Sequence, residues 1–149
     1  MDLRGSKNLK EIPDLSLATN LEKLILTHCS SLVKLPTSIQ HLNKLEQLMM
    51  HGCKKLEILP TGINLQSLNW LDLTECSRLR SFPDISSNIS RLSLCGTSIE
   101  NFPSNLRLEN LHYFSMWEMK SEILGKLTAG TYLTYGFLQL FFKLTLIRN

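Results

Sequence analysis

Long apolar runs are scarce in this sequence. The longest, Phe137 to Ile147, is 11 residues and contains Lys143, short of the ~20 residues that a membrane-crossing helix needs. The opening Met1-Asp2-Leu3-Arg4-Gly5-Ser6-Lys7 carries charges and no apolar core, so it does not read as a secretory signal. Close cysteine pairs are lacking as well. Cysteines stand singly at 29, 53, 76 and 95, a spacing that fits neither a disulfide scaffold nor a C-x-x-C metal site and points to reduced, buried thiols in an intracellular protein. Neither sign of charge dominates: 16 Lys and Arg against 13 Asp and Glu leave a net +3, spread without a run. That excludes an electrostatic stripe for nucleic acid. No G-x-x-x-x-G-K-[ST] occurs, so no phosphate-cradling loop is expected.

Proline is also rare, and its placement is informative. The five prolines, at 13, 36, 60, 83 and 103, lie 23, 24, 23 and 20 residues apart. The apolar residues ahead of them are in register. One copy reads Leu21-x-x-Leu24-x-Leu26-x-x-Cys29-x-x-Leu32-x-x-Leu35-Pro36. The next reads Leu45-x-x-Leu48-x-Met50-x-x-Cys53-x-x-Leu56-x-x-Leu59-Pro60, and the third Leu68-x-x-Leu71-x-Leu73-x-x-Cys76-x-x-Leu79-x-x-Phe82-Pro83. A period of 20 to 29 residues bearing L-x-x-L-x-L-x-x-N/C is the mark of leucine-rich repeats.

Each L-x-x-L-x-L segment alternates in its second half, as a short strand does. One copy cannot bury its leucines, whereas stacked copies merge them into a single core. The expected fold is an α/β-type leucine-rich-repeat solenoid, with short parallel strands on the concave face and mostly irregular or 3₁₀ convex segments. Proline fixes φ and lacks an N–H, which suits an irregular return segment and excludes a helix interior. The cysteine closes the turn after each strand, where a small, weakly polar side chain fits inside.

The copies differ in places. Before Pro13 only half a repeat remains, with Leu3 at the last strand leucine and Ser6 at the cysteine place. The fourth copy, Ile89-x-x-Leu92-x-Leu94 followed by Cys95 to Pro103, is one residue shorter. Thr97 therefore takes the turn place and Cys95 moves to the concave side. A last strand, Leu111-x-x-Phe114-x-Met116, follows, with Met119 in the turn place. The solenoid is expected over residues 1–122, about five repeats with the first incomplete. Residues 123–149 contain no acidic residue, break the period and are expected to be a non-repeat hydrophobic tail. Polar capping repeats are absent at both ends, so the sequence reads as a fragment.

Concave positions are free to specify a partner. The first column is Lys23, Gln47, Trp70, Arg91, Tyr113. The second is Asp2, Ile25, Met49, Asp72, Ser93, Ser115, and the third is Arg4, Thr27, His51, Thr74, Cys95, Trp117. From these we select Lys23, Gln47, Met49, His51, Trp70, Asp72, Arg91, Ser93, Tyr113 and Trp117 as the candidate protein-binding set, with Trp70, Arg91, Tyr113 and Trp117 first because Trp, Tyr and Arg dominate binding hot spots. The competing reading is an ordinary solvated face. His28, His41, His51 and His112 fall in different repeats, and Cys29 and Cys53 point inward while His51 points to the concave face, so no metal set converges. No catalytic constellation and no cofactor site is read. Asn88-Ile89-Ser90 matches a glycosylation sequon, but Ile89 is expected to be buried.

Several phrases resemble one family. Pro13-Asp14-Leu15-Ser16-Leu17-Ala18-Thr19-Asn20-Leu21, Cys29-Ser30-Ser31-Leu32-Val33-Lys34-Leu35-Pro36, Gly96-Thr97-Ser98-Ile99-Glu100-Asn101-Phe102-Pro103 and Met116-Trp117-Glu118-Met119-Lys120-Ser121-Glu122 resemble the repeat region of plant intracellular immune receptors. The class is the one with a Toll/interleukin-receptor domain, a nucleotide-binding domain and leucine-rich repeats. The resemblance covers residues 1 to about 122. It implies a protein-recognition module without enzymatic activity, whose partner is a pathogen effector, a guarded host target or another receptor domain. It implies no nucleic-acid, membrane or small-molecule partner, and a cytoplasmic location with the nucleus left open. Two alternatives stay open: an intracellular leucine-rich-repeat scaffold that docks signalling proteins, and a non-functional receptor fragment.

Overall fold

The computed structural model describes residues 1–60, 65–82, 88–100, 108 and 110–116. Pro83, Pro103, Trp117, Met119 and the tail expected at 123–149 lie outside the described residues.

Five three-residue strands, β1 (Lys23–Ile25), β2 (Gln47–Met49), β3 (Trp70–Asp72), β4 (Arg91–Ser93) and β5 (Tyr113–Ser115), pair in chain order as one parallel sheet. Leu24, Leu48, Leu71, Leu92 and Phe114 are successive Cα partners, so each repeat supplies one strand in the register that the leucine spacing predicts. The half-repeat at the start contributes a bridge, Asp2 to Ile25, instead of a full strand. It is held by the Leu3 N–H on the Ile25 carbonyl at 2.8 Å and the Ile25 N–H on the Met1 carbonyl at 3.0 Å.

The leucines meet on one side of the sheet. Leu24, Leu26, Leu45, Leu48, Met50, Leu71 and Leu73 are almost wholly buried, as are Leu32, Leu56 and Leu79 on the return path. A fully buried side chain of this size contributes about 1.5–3 kcal/mol, and these residues join one hydrophobic cluster that runs through the repeats. Among the described residues the return path is irregular, with one 3₁₀ turn, Thr37–His41, that follows Pro36 (φ −68°) and buries Ile39. It forms its own rungs: the Val33 N–H donates to the Lys10 carbonyl at 3.2 Å and the Glu57 N–H to the Val33 carbonyl at 3.1 Å.

The cysteines form a ladder. Cys29, Cys53 and Cys76 are free, buried thiols whose Sγ donates to a carbonyl one repeat earlier: Leu3 at 3.1 Å, Leu26 at 3.2 Å and Met50 at 3.2 Å. Each closes a turn and bonds the preceding coil, which accounts for a small weakly polar residue at that place. Burial pushes all three thiols up, Cys53 to about 12, with the neighbouring Cys29 as a lesser cause. In the shortened fourth repeat Thr97 occupies the place and its hydroxyl reaches only its own repeat, the Leu94 carbonyl at 2.9 Å. Among the described residues Thr97 therefore adds no cross-repeat rung.

A second ladder follows the strands. The residue after the third outward column is left-handed in every described copy: Gly5 (φ 72°), His28 (61°), Gly52 (74°), Glu75 (58°) and Gly96 (65°). That twist aims the backbone N–H along the solenoid axis. Gly5 donates to Thr27 at 2.8 Å, His28 to His51 at 2.7 Å, Gly52 to Thr74 at 2.8 Å and Glu75 to Cys95 at 2.7 Å. Glycine adopts this conformation freely, whereas His28 and Glu75 hold it at a cost of about 1–2 kcal/mol.

Candidate protein-recognition surface

The sheet face opposite the leucines is built by strand alternation. In each strand the middle residue is buried and its two neighbours turn to the other side. Strand register brings Lys23, Gln47, Trp70, Arg91 and Tyr113 into one row, and Ile25, Met49, Asp72, Ser93 and Ser115 into the next. Neighbouring side chains in a row are spaced by about 4.8 Å, the distance between paired strands.

The first row is the open one. Lys23, Arg91 and Tyr113 are exposed, Tyr113 at 47%, while Gln47 and Trp70 are half-buried. The Arg91 guanidinium lies over the Trp70 ring, with Cζ 5.1 Å from the centroid, a cation–π contact of about 0.5–1 kcal/mol at an exposed site. No side-chain ion pair or hydrogen bond joins Arg91 or Lys23 to any described residue.

The second row is less available than alternation suggests. Asp72 is half-buried and turns its Oδ1 to the Thr74 N–H at 3.0 Å, closing the strand end. Asp2, three periods earlier in the pattern, does the same for the Arg4 N–H at 3.1 Å. Its carboxyl is held below the usual range, first by the Arg4 side chain and then by that backbone N–H. Ser93 is 9% exposed and offers little surface, and Met49 is half-buried. In the third row Cys95 is buried, with Sγ 2.8 Å from the Ser115 Oγ. Trp117 lies outside the described residues.

His51 belongs to a group drawn from three repeats. The His28 ring meets it edge-on, centroids 5.0 Å apart. Glu75 reaches back to the His51 Nε2 and to the Lys54 Nζ, each at 3.9 Å. These pairs are about a third or more exposed and contribute at most about 1 kcal/mol each. The left-handed backbone of His28 and Glu75 turns both side chains toward the Gly52 turn. Sequence reading missed this arrangement. The signal was present in Gly5, Gly52 and Gly96, which share one repeat place, but His28 and Glu75 interrupt the glycine series.

Among the described residues no group of three or more His, Cys, Asp or Glu side chains is arranged to hold a metal ion. No described helix is long and apolar enough to cross a membrane.

One parallel sheet, a cysteine-closed turn in three copies and a return path with little helix define a leucine-rich-repeat solenoid that presents a sheet face carrying Trp70, Arg91 and Tyr113. The sequence is 66% identical to Disease resistance protein RPS6 of Arabidopsis thaliana over 111 residues, 74% of this chain and 10% of that protein. It is 47% identical to Disease resistance protein RML1A over 106 residues (71% of this chain, 11% of that protein) and 55% identical to Disease resistance protein RPP4 over 85 residues (57% and 7%), both from the same plant. These relatives are plant disease resistance proteins, the family this chain's repeat phrases resemble, and the solenoid is consistent with a stretch of leucine-rich repeats from such a protein. The chain spans about a tenth of the length of these relatives. No protein-family model and no solved structure matches it.

Proposed function

We propose that this chain is the protein-recognition part of an intracellular plant immune receptor, and that its sheet face senses a pathogen effector or a guarded host protein. The observation that carries this reading is the Trp70–Arg91–Tyr113 row, where three side chains of hot-spot type stand in adjacent register on the sheet face. Similarity to plant disease resistance proteins supports the immune setting. The role is binding without catalysis, needs no cofactor, and is exercised in the cytoplasm with or without a nuclear pool. We further assign residues 1–122 to the solenoid and 123–149 to a tail outside it.

The test is binding of an effector, or of the other domains of the same receptor, to the chain carrying Trp70→Ala or Arg91→Ala. A loss of about tenfold or more, with the thermal transition unchanged, is expected for a hot-spot truncation. Unchanged binding by the folded variants would overturn the assignment.

A further inference from the structure

We propose that Arg91, braced by Trp70 and flanked by Tyr113, is a subsite for a carboxylate side chain of a protein partner, with an aromatic or aliphatic neighbour of that residue resting on Tyr113. The inference rests on the sheet-face reading above and specifies the chemistry of its partner.

Charge complementarity on the face carries the argument. Its acidic groups are already engaged: Asp2 by Arg4, with Nη2 to Oδ2 at 2.9 Å, Asp72 by the Thr74 N–H, and Glu75 by His51 and Lys54. Its two cations in the first row are not. Lys23 and Arg91 are exposed, and neither has a carboxylate within ion-pair distance among the described residues. They stand three strand steps apart, about 14 Å, so one carboxylate cannot bridge them, and each must be satisfied by water or by a separate group.

Arg91 differs from Lys23 in being held. Contact with the indole limits the rotamers of the guanidinium before any partner arrives, so less side-chain entropy is lost on binding. A guanidinium offers a planar fork of N–H donors that matches both oxygens of a carboxylate, which a lysine cannot do. On its other side Tyr113 is the Cα partner of Arg91 and is 47% exposed. The row from Trp70 to Tyr113 therefore alternates aromatic, cation, aromatic across three strands. This pattern suits an acidic residue beside an apolar one in the bound segment.

Three fluorescein-labelled peptides test the subsite on the full chain by anisotropy titration: Gly-Glu-Tyr-Glu-Gly, Gly-Gln-Tyr-Gln-Gly and Gly-Lys-Tyr-Lys-Gly. The Glu peptide is expected to bind about tenfold tighter than the Gln peptide, the size of one charge-assisted bidentate contact, and the Lys peptide weakest. Arg91→Gln should abolish that preference, Arg91→Lys should keep only part of it, and Lys34→Gln, on the return path, should leave it in place. The preference should shrink with added salt. Equal affinity for all peptides, no saturable binding of the Glu peptide, or an undiminished preference in Arg91→Gln would overturn the proposal. Equal affinities that still weaken together in Trp70→Ala would leave the sheet face as the binding surface and remove only the carboxylate subsite.

Discussion

The His28 ring occupies the space that a β-carbon on Gly52 would need: His28 Nδ1 lies inside van der Waals distance of that position. Gly52 also holds φ +74°. Two independent constraints, backbone hand and a neighbouring side chain, thus fix one residue. Gly5 shares the hand, φ +72°, but has nothing within 4 Å of a β-carbon.

The pair predicts unequal costs for the same substitution. Gly5→Ala should cost only the left-handed backbone penalty, about 1 kcal/mol. Gly52→Ala should cost more, about 2–3 kcal/mol, because the His28 ring must also move. Adding His28→Gly to Gly52→Ala should recover the excess and remove a second left-handed non-glycine residue. Urea melts of the four proteins check this; equal costs at the two glycines would show that the His28 contact is slack.

The cysteine ladder predicts chemical silence in the folded state and alkaline weakening. Burial raises the Cys53 thiol to about 12, so the folded chain keeps its proton where the unfolded chain, near the ordinary value of 9.0, releases it. Stability from this group is therefore complete below about pH 8.5 and falls as pH rises toward 12. Thiol-reagent labelling at pH 8 should modify Cys53 and Cys76 only when urea unfolds the chain. Rapid labelling of both thiols without denaturant would contradict the ladder.

At acid pH the relevant group is Asp14. Its carboxyl is lowered to about 2, first by the Ser16 side chain, then by Ser38 and the Ser16 backbone N–H; Ser16 Oγ donates to it at 2.7 Å. A depressed carboxyl stabilises the fold above the ordinary value of 3.8 and loses that contribution as pH falls toward 2. Carboxyl-carbon NMR should place its midpoint near 2, and Ser16→Ala should move it upward. A midpoint near 4 in the wild type would remove the Ser16 contact from the account.

Asp72 separates scaffold from surface. Because its Oδ1 accepts the Thr74 N–H, Asp72→Ala should cost about 0.5–1.5 kcal/mol in stability and leave partner affinity within about twofold. Asp72→Asn retains an acceptor and should be nearly neutral. Loss of binding without loss of stability would return Asp72 to the contact set.

Much of this was legible in the residue pattern. Leucine spacing set the sheet register to the residue, since Lys23, Gln47, Trp70, Arg91 and Tyr113 align in the structure as they do in the repeats. The repeat turn place also assigned buried Cys29, Cys53 and Cys76, whereas Cys95, expected on the concave side, is buried beside Ser115. What the pattern could not carry was side-chain commitment. Asp72 and Ser93 fall on the outward row by period, yet one caps a backbone N–H and the other is covered. Period alone says which way a Cβ points, not what the side chain then finds. The left-handed series was hidden for a related reason: positive φ shows in sequence only where glycine marks it, and His28 and Glu75 adopt it without that mark.

The most direct test of the recognition face compares two faces of the same fold. Wild-type chain, a Trp70→Ala/Arg91→Ala variant and a Leu17→Ser/Ile58→Ser variant, the last altering apolar residues 96% and 60% exposed away from the strands, are used to enrich proteins from infected leaf extract, with quantification by mass spectrometry. A defined protein is expected to be retained by the wild type and by the Leu17→Ser/Ile58→Ser variant and lost from Trp70→Ala/Arg91→Ala, with all three melting alike. Retention by the Trp70→Ala/Arg91→Ala variant and loss from the other would contradict the recognition-face reading.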